Sequence, residues 1–376
     1  MNEEGHLFVG FIGEYIMKKI FLPVLMLLAV LFGSMPVTAL ADDSVDPTVG
    51  GQMNQNIDDL ISQKGYSGTL LVIKNGKPVY QTSRGYSNFS NGLSNDENTA
   101  YEIDSVQKTL TAAMVMKQVQ KGHLKLSDKL SKFYPSIPGS KKITIRQMLD
   151  MTSGLVLSEV GPNEILSDSG IISADINDIH FSELSYKKWN YQPVNFNLLS
   201  GILEQITGKS YQKLFTQTYI KKLHLKHTIF AYDENPDIDK AAGYNNIDPL
   251  SSRLDYKNAF YTKKFFEFDE LGTGQVYMSA GDLYKVEKYI MRGKMLSKKS
   301  RKKLFKRGSV STYGGGMYHG KNDNFANGWG YGFQGVVHIS NNGKNAVILL
   351  ENYSRLAADA KPIAKQIYGM IQNETN

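Results

Sequence analysis

Strand-like sequence lies near both ends of this chain, and helical sequence fills the middle. Residues 69–81 read as two apolar strands joined by Asn75-Gly76, a dipeptide that favours a tight hairpin turn. Residues 335–339 and 346–350 are also strand-like and flank a second turn sequence. Helical spacing is predicted for residues 57–63, 111–166, 189–208, 271–295 and 356–371. Residues 163–186 have no clear period and are predicted to form a loop. This order predicts an α+β fold, in which both chain ends build one antiparallel sheet and helices flank it or form a separate group.

Ser105 and Lys108 lie three residues apart where a loop enters one of these helices, and this spacing puts them on one helical face. A serine needs a neighbouring base to become a good nucleophile. A lysine can serve as that base when burial lowers its pKa, and the apolar residues 110–116 predict a buried helix. The alternative is a purely structural role, with Asp104 or Ser105 as the helix N-cap and Lys108 exposed. The four-residue pattern Ser-x-x-Lys by itself favours this structural alternative, because it occurs by chance in many sequences.

The first 41 residues have the pattern of an export signal. Met17-Lys18-Lys19 is a basic start, residues 20–33 are apolar, and Ala39-Leu40-Ala41 has the small-x-small form of a cleavage site. An apolar run of this length is short for a membrane-spanning helix, although an uncleaved anchor is the alternative. The sequence therefore predicts a signal peptide over residues 1–41 with translation starting at Met17. A flexible linker is predicted over residues 42–56 and a folded domain over residues 57–373.

The composition constrains where the protein works and what it meets. The chain has no cysteine, so disulfides and thiolate metal sites are excluded. Its net charge is +7, and removing three Glu and two Lys with residues 1–41 leaves +8. A basic exported protein is attracted to anionic polymers, and nucleic acid is not expected in that compartment. Residues 298–307 hold seven cations, either as a solvated helix face with Leu304 and Phe305 inward or as a dock for wall phosphodiesters.

Five stretches together resemble the serine β-lactamase and penicillin-binding-protein superfamily, in the branch of class C β-lactamases and D-alanyl-D-alanine carboxypeptidases. They are residues 67–80, 103–113, 143–155, 195–211 and 271–305. The resemblance implies a β-lactamase-like fold with a helical subdomain, Ser105 as nucleophile and Lys108 as its base. It implies no cofactor and no metal.

The same resemblance locates two further motifs. The family's Tyr-x-Asn motif falls on Tyr191-Gln192-Pro193, which implies that Tyr191 is a general acid–base and that the usual asparagine amide is lost. The family's Lys/His-containing third motif is placed on Trp329-Gly330-Tyr331, where there is no cation to hold a substrate carboxylate. The backbone N–H groups of Ser105 and Gly332 are the predicted oxyanion hole.

Three functions follow as alternatives. The first is a secreted, cell-surface serine hydrolase, of a Gram-positive cell, that removes D-alanyl esters from lipoteichoic acid through an acyl-serine intermediate. It resembles the teichoic-acid D-alanine esterases of the superfamily, and its basic charge allows peripheral association with the outer membrane face. The second is a D-alanyl-D-alanine carboxypeptidase or weak β-lactamase. The third is an inactive wall-binding protein, which an intact set of Ser105, Lys108 and Tyr191 disfavours.

Overall fold

The computed structural model describes residues 51–157, 163–248, 250–251, 253–260, 264–355 and 358–373. The predicted signal peptide and the linker up to residue 50 lie outside these described residues. Among the helices that the structure describes, none combines the length and the apolar character needed to span a membrane.

The described chain alternates strands and helices. The strands are β1 (Gly68–Lys74), β2 (Lys77–Arg84), β3 (Tyr86–Asn88), β4 (Leu93–Ser94), β5 (Tyr101–Glu102), β6 (Leu155–Leu157), β7 (Ile179–Phe181), β8 (Thr228–Phe230), β9 (Gly243–Asn245), β10 (Ala259–Phe260), β11 (Val276–Met278), β12 (Tyr313–Gly314), β13 (Met317–His319), β14 (Asp323–Gly330), β15 (Phe333–Ser340), β16 (Ala346–Glu351) and β17 (Tyr353–Ser354). The helices are α1 (Gly51–Lys64), α2 (Gln107–Lys121), α3 (Ile145–Leu149), α4 (Asp168–Asp178), α5 (Val194–Thr207), α6 (Tyr211–Phe215), α7 (Lys221–Leu223), α8 (Lys264–Asp269), α9 (Ala280–Met291), α10 (Lys298–Leu304) and α11 (Ala360–Asn373).

One antiparallel sheet joins the two ends of the described chain, as the sequence predicted. Its seven strands lie in the order β12-β13-β14-β15-β16-β1-β2, so that β1 pairs directly with β16. The predicted hairpin is confirmed: Asn75 and Gly76 both have positive φ, 55° and 84°, which a type I′ turn requires. Pro78 lies near the start of β2, the edge strand, where its missing N–H removes no central ladder bond.

Alternation along the strands gives the sheet two buried faces. Leu70 and Val72 point to a cluster with α1 and α11, while Leu71 and Ile73 point to the larger cluster that contains α2 and α5. The larger cluster holds α2, most of whose residues are buried, and α2 ends at Gly122 in the left-handed conformation. Helix α2 is therefore embedded in the main core, which fixes the position of its first turn.

Two predictions about local structure are corrected. Residues 51–56, assigned to a flexible linker, form the first turns of α1, because Met53 continues the apolar stripe of Ile57 and Ile61 onto the sheet. Residues 163–186, predicted to be a loop, contain α4 and β7. The apolar period of α4 is hard to see because a carboxylate, Asp175, takes a buried position on the helix.

Candidate active site

Ser105 and Lys108 meet at the entrance of the buried helix α2. Ser105 lies in a 3-10 turn (Asp104–Val106) that runs directly into α2. The Nζ atom of Lys108 lies 2.8 Å from the Ser105 Oγ and 3.5 Å from the Thr273 carbonyl oxygen. Lys108 is only 1% exposed. The pair thus has the direct contact that a serine and its base require.

The structural alternative for this tetrad does not hold. The cap residues of the 3-10 turn and of α2 are Ile103 and Val106, and neither receives a side-chain capping bond. Asp104 instead adopts a positive φ of 44° and is buried immediately before the nucleophile. A strained, buried residue at this point is typical of a functional turn and not of a helix cap.

Strand β14 closes against the nucleophile turn through Gly328. A Cβ added at Gly328 would lie 2.3 Å from the Ile103 carbonyl oxygen and 2.9 Å from the Ser105 nitrogen. Only a glycine can allow the strand to approach the backbone of Ser105 this closely. Gly328 therefore determines how close β14 comes to Ser105. The sequence analysis did not single out this glycine.

The structure places Gly332 elsewhere than the predicted oxyanion hole would need. Tyr331 and Gly332, with φ of 50° and 87°, form the two-residue turn between β14 and β15. A Cβ at Gly332 would meet the backbone of Gly243 and Tyr244 within 2.9 Å, whereas Gly328 is the residue that meets Ser105. The sequence alone could not place Gly332 relative to Ser105, because it does not show where the β14–β15 hairpin turns.

The strand register identifies a different backbone donor. A two-residue turn makes Gly330 and Phe333 a hydrogen-bonded pair, so the next pair, Trp329 and Gln334, is not hydrogen-bonded. The N–H of Trp329 therefore points away from β15. On that side β13 pairs with β14 only at residues 324 and 325. The Trp329 N–H thus faces the open edge of β14, beside the segment where Gly328 touches Ser105.

Tyr191 and Gln192 lie on the loop that precedes α5. The Lys108 Nζ lies 5.4 Å from the centroid of the Tyr191 ring. The Gln192 side chain accepts a hydrogen bond from the Leu157 N–H (3.2 Å), and its carbonyl accepts one from the Asn195 side chain (2.9 Å). These bonds hold the loop in position, so Tyr191 stands next to the lysine that contacts the nucleophile.

A cavity of about 420 Å³ brings most of the predicted site together. Its lining contains Ser105, Lys108, Tyr191, Gln192, Trp329 and Tyr331. Gly332 lines a different cavity. Trp329 contributes only at the mouth, since it is 67% exposed, and its Nε1 donates to the Ser354 hydroxyl.

The cavity is also lined by acidic side chains, which the sequence did not predict. Asp175, Asn197, Asp269 and Glu270 line the same cavity; we call these four residues the acidic wall. They come from α4, from α5, and from the end of α8 with the residue after it. No local sequence signal marks them as a group, because three separate parts of the chain supply them.

Burial and mutual repulsion disfavour the ionised state of the acidic wall. Burial, with the nearby charges of Asp269 and Asp178, raises the pKa of Asp175 to about 7, against a hydrogen bond from Asn197. Burial and the charge of Glu270 raise the pKa of Asp269 to about 6. Burial also raises the pKa of Glu270, while the positive charge of Lys108 and the Tyr331 hydroxyl, 3.0 Å away, oppose this. A cationic ligand would relieve this repulsion.

Comparison with known proteins identifies the family of this chain. The beta-lactamase family model matches residues 53–366, so the chain belongs to the beta-lactamase family. That match confirms the family and the β-lactamase-like α+β fold that the sequence motifs indicated.

Two related sequences and one solved structure are similar to this chain. The chain is 29% identical over 330 residues to the putative penicillin-binding protein PbpX of Bacillus subtilis (strain 168), covering 85% of this chain and 79% of that one. It is 28% identical over 249 residues to a teichoic acid D-alanine hydrolase of Staphylococcus aureus, covering 65% of this chain and 59% of that protein. The crystal structure of FmtA from Staphylococcus aureus matches with a TM-score of 0.75 and 25% identity, covering 86% and 87% of the two chains.

Proposed function

We propose that this protein is a serine hydrolase that removes D-alanyl esters from a teichoic acid at the cell surface. The observation that carries the proposal is the 2.8 Å contact between the buried Lys108 Nζ and the Ser105 Oγ, inside a cavity that acidic side chains also line. The protein's relatives include one named teichoic acid D-alanine hydrolase.

In the proposed mechanism, Lys108 takes the proton of Ser105 as the Oγ attacks the ester carbonyl carbon. The backbone N–H groups of Ser105 and Trp329 stabilise the negative oxygen of the tetrahedral intermediate. Tyr191, beside Lys108, relays the proton to the departing polymer hydroxyl. Water then attacks the D-alanyl-serine, and the same groups return the proton to Ser105 as D-alanine leaves.

The charge of the cavity supports an ester of an amino acid over a peptide with a free carboxylate. Among the described residues that line it, Lys108 is the only cation, and it contacts the nucleophile. A substrate ending in free D-alanine would bring its carboxylate towards three acidic side chains. The amine of a D-alanyl ester carries the opposite charge, which the acidic wall favours.

The cell-surface address rests on the sequence pattern of residues 1–41 and on the substrate of the named hydrolase relative. The protein's net charge of +7 also favours approach to a polyanionic polymer.

The decisive experiment is the release of free D-alanine from purified lipoteichoic acid by wild type and by Ser105→Ala. The variant should lose on the order of 10⁴-fold or more in rate, as expected when a nucleophile is deleted. Its stability should change little, because among the described residues the Ser105 side chain has a hydrogen bond to Lys108 alone.

Ser131→Ala is the matched control, because Ser131 also has a lysine neighbour, Lys132, but lies outside the cavity. It should keep full activity. Ester hydrolysis that survives in Ser105→Ala would refute the acyl-serine mechanism. Turnover of D-Ala-D-Ala peptides in preference to lipoteichoic acid would replace the proposed substrate with a peptide.

A further inference from the structure

Asn197 and Asp269 offer hydrogen-bond acceptors that no donor in the described chain satisfies. Asn197 is 6% exposed, and its Nδ2 donates to Asp175 Oδ2 at 3.0 Å. Its Oδ1 atom has no partner, and neither carboxylate oxygen of Asp269 has one. A buried acceptor without a donor costs about 1–3 kcal/mol. Such atoms on the wall of a cavity indicate that a donor arrives with the ligand.

The three side chains form one subsite. Asp175 and Asp269 are close enough for the charge of Asp269 to raise the pKa of Asp175, and Asn197 bonds Asp175 directly. All three line the cavity that contains Ser105. Asp175 is 5% exposed, so its carboxylate is shielded from water as Asn197 is. The subsite therefore combines carboxylates with a free amide oxygen, which is an acceptor-only surface.

This arrangement suits an organic ammonium group better than a single metal ion. Among the described residues, no three His, Cys, Asp or Glu side chains converge closely enough to hold a metal ion. An ammonium has three N–H donors that can reach separated acceptors, and it tolerates aromatic neighbours. Phe266 and Tyr331 supply such rings on the same cavity.

We propose that Asp175, Asn197 and Asp269 form the binding site for the positively charged amine of the substrate's acyl group. The proposal rests on the proposed function, because it names the part of the D-alanyl ester that the enzyme recognises. The subsite selects aminoacyl esters over uncharged acyl esters of the same shape. Asp269 is its main acceptor, since neither of its oxygens has a hydrogen-bond partner among the described residues.

The test uses two small esters of one alcohol, D-alanyl and D-lactyl, which differ by an ammonium in place of a hydroxyl. The full-length wild type should prefer the D-alanyl ester in kcat/KM. Asp269→Asn should reduce this preference by about 10-fold, equivalent to about 1.4 kcal/mol. The preference is a ratio of two kcat/KM values measured on one preparation, so a general loss of activity cancels from it, and a thermal melt beside wild type shows that the variant is folded.

Asp59→Asn is the matched control. It removes the same charge from an exposed position of α1, outside the cavity, and should keep the wild-type preference. Asp269→Glu should keep part of the preference, because it keeps the charge. An Asp269→Asn variant that loses both esters equally, or neither, would overturn the proposal.

The same measurements separate this inference from the proposed function. A wild type that prefers the D-alanyl ester through Asp269 but releases nothing from lipoteichoic acid would support the subsite and refute the polymer substrate. A wild type that deacylates lipoteichoic acid yet treats the two small esters alike would refute the subsite and keep the proposed function.

Discussion

The two walls of the cavity are built in opposite ways. On the nucleophile wall, Ser105 and Lys108 lie within one helical turn, and the glycine Gly328 lets β14 pack closely against them. On the acidic wall, three separate parts of the chain supply the side chains, and several of their polar atoms have no hydrogen-bond partner within the part of the chain that the structure describes. The first wall is preorganised for chemistry, whereas the second is left open for a ligand. We therefore expect the rate of ester hydrolysis to depend on the nucleophile wall and substrate choice to depend on the acidic wall.

The largest effect in this comparison should come from Lys108. Lys108→Arg should lose about 10²- to 10⁴-fold in kcat, nearly as much as Lys108→Ala, because a guanidinium does not give up its proton at working pH. Both esters should be affected equally. The measurement is steady-state kinetics beside a thermal melt.

Lys121→Arg, at the exposed end of the same helix, is the control and should behave as wild type. Activity retained in Lys108→Arg would mean that Lys108 provides only charge, and the nucleophile wall would then lack its base.

A smaller effect is expected from adding a side chain at Gly328, where β14 lies against Ser105. Gly328→Ala should lower kcat about 100-fold, because its Cβ would push β14 away from Ser105 by a fraction of an ångström to an ångström. Gly335→Ala is the matched control on the paired strand position, where the nearest atom is a leucine methyl at 3.3 Å. Equal losses in both variants would show that the effect is general strain in the sheet.

The acidic wall should make substrate preference depend on pH. The pKa of Asp269 is raised to about 6 and that of Asp175 to about 7, so the wall becomes negative as the pH rises through this window. A substrate amine with a pKa of about 7.7–8.0 is still charged there. We therefore expect the D-alanyl over D-lactyl preference to grow about 10-fold between about pH 5 and 7.5, as each charge that appears adds an ion pair.

The free energy of unfolding should fall over the pH range in which the substrate preference grows. Both carboxyls bind protons more tightly in the folded than in the unfolded state, so the free energy of unfolding should fall as pH rises from about 4 through about 7. Asp175→Asn should flatten both curves when measured by kinetics and by denaturant melts across pH. A preference that is independent of pH in the wild type would contradict the assignment of the acidic wall.

The smallest effect should come from Trp329→His at the cavity mouth. In wild type, the exposed Trp329 indole can contact the ammonium of the D-alanyl ester. Loss of this contact should lower kcat/KM for the D-alanyl ester only about 2- to 5-fold, or about 0.5–1 kcal/mol. The new imidazole should not create strong carboxypeptidase activity, since Pro193 provides no side-chain amide. D-alanine release from lipoteichoic acid and from a D-Ala-D-Ala peptide gives the comparison. A strong gain on the peptide would show that the mouth, and not the acidic wall, controls substrate choice.

Much of the fold could be predicted from the sequence because its signals are local. Asn75-Gly76 specifies a turn by its own backbone preferences, and Thr144 with Gln147 forms a capping box within four residues. The helix α4 was missed because its buried polar residue, Asp175, hides the apolar period. That polar residue is buried because it lines the cavity.

The sequence by itself determined that Ser105 and Lys108 would be neighbours, since one turn of helix brings residues three apart together wherever the helix lies. Only the tertiary structure decided that Gly328, and not Gly332, lies against Ser105, because that depends on where the β14–β15 hairpin turns. Only the packing of α4, α5 and α8 around the cavity brought Asp175, Asn197 and Asp269 to the same wall. Neighbours along a helix follow from its repeat, whereas residues far apart in the chain meet only where the whole core has placed their backbones.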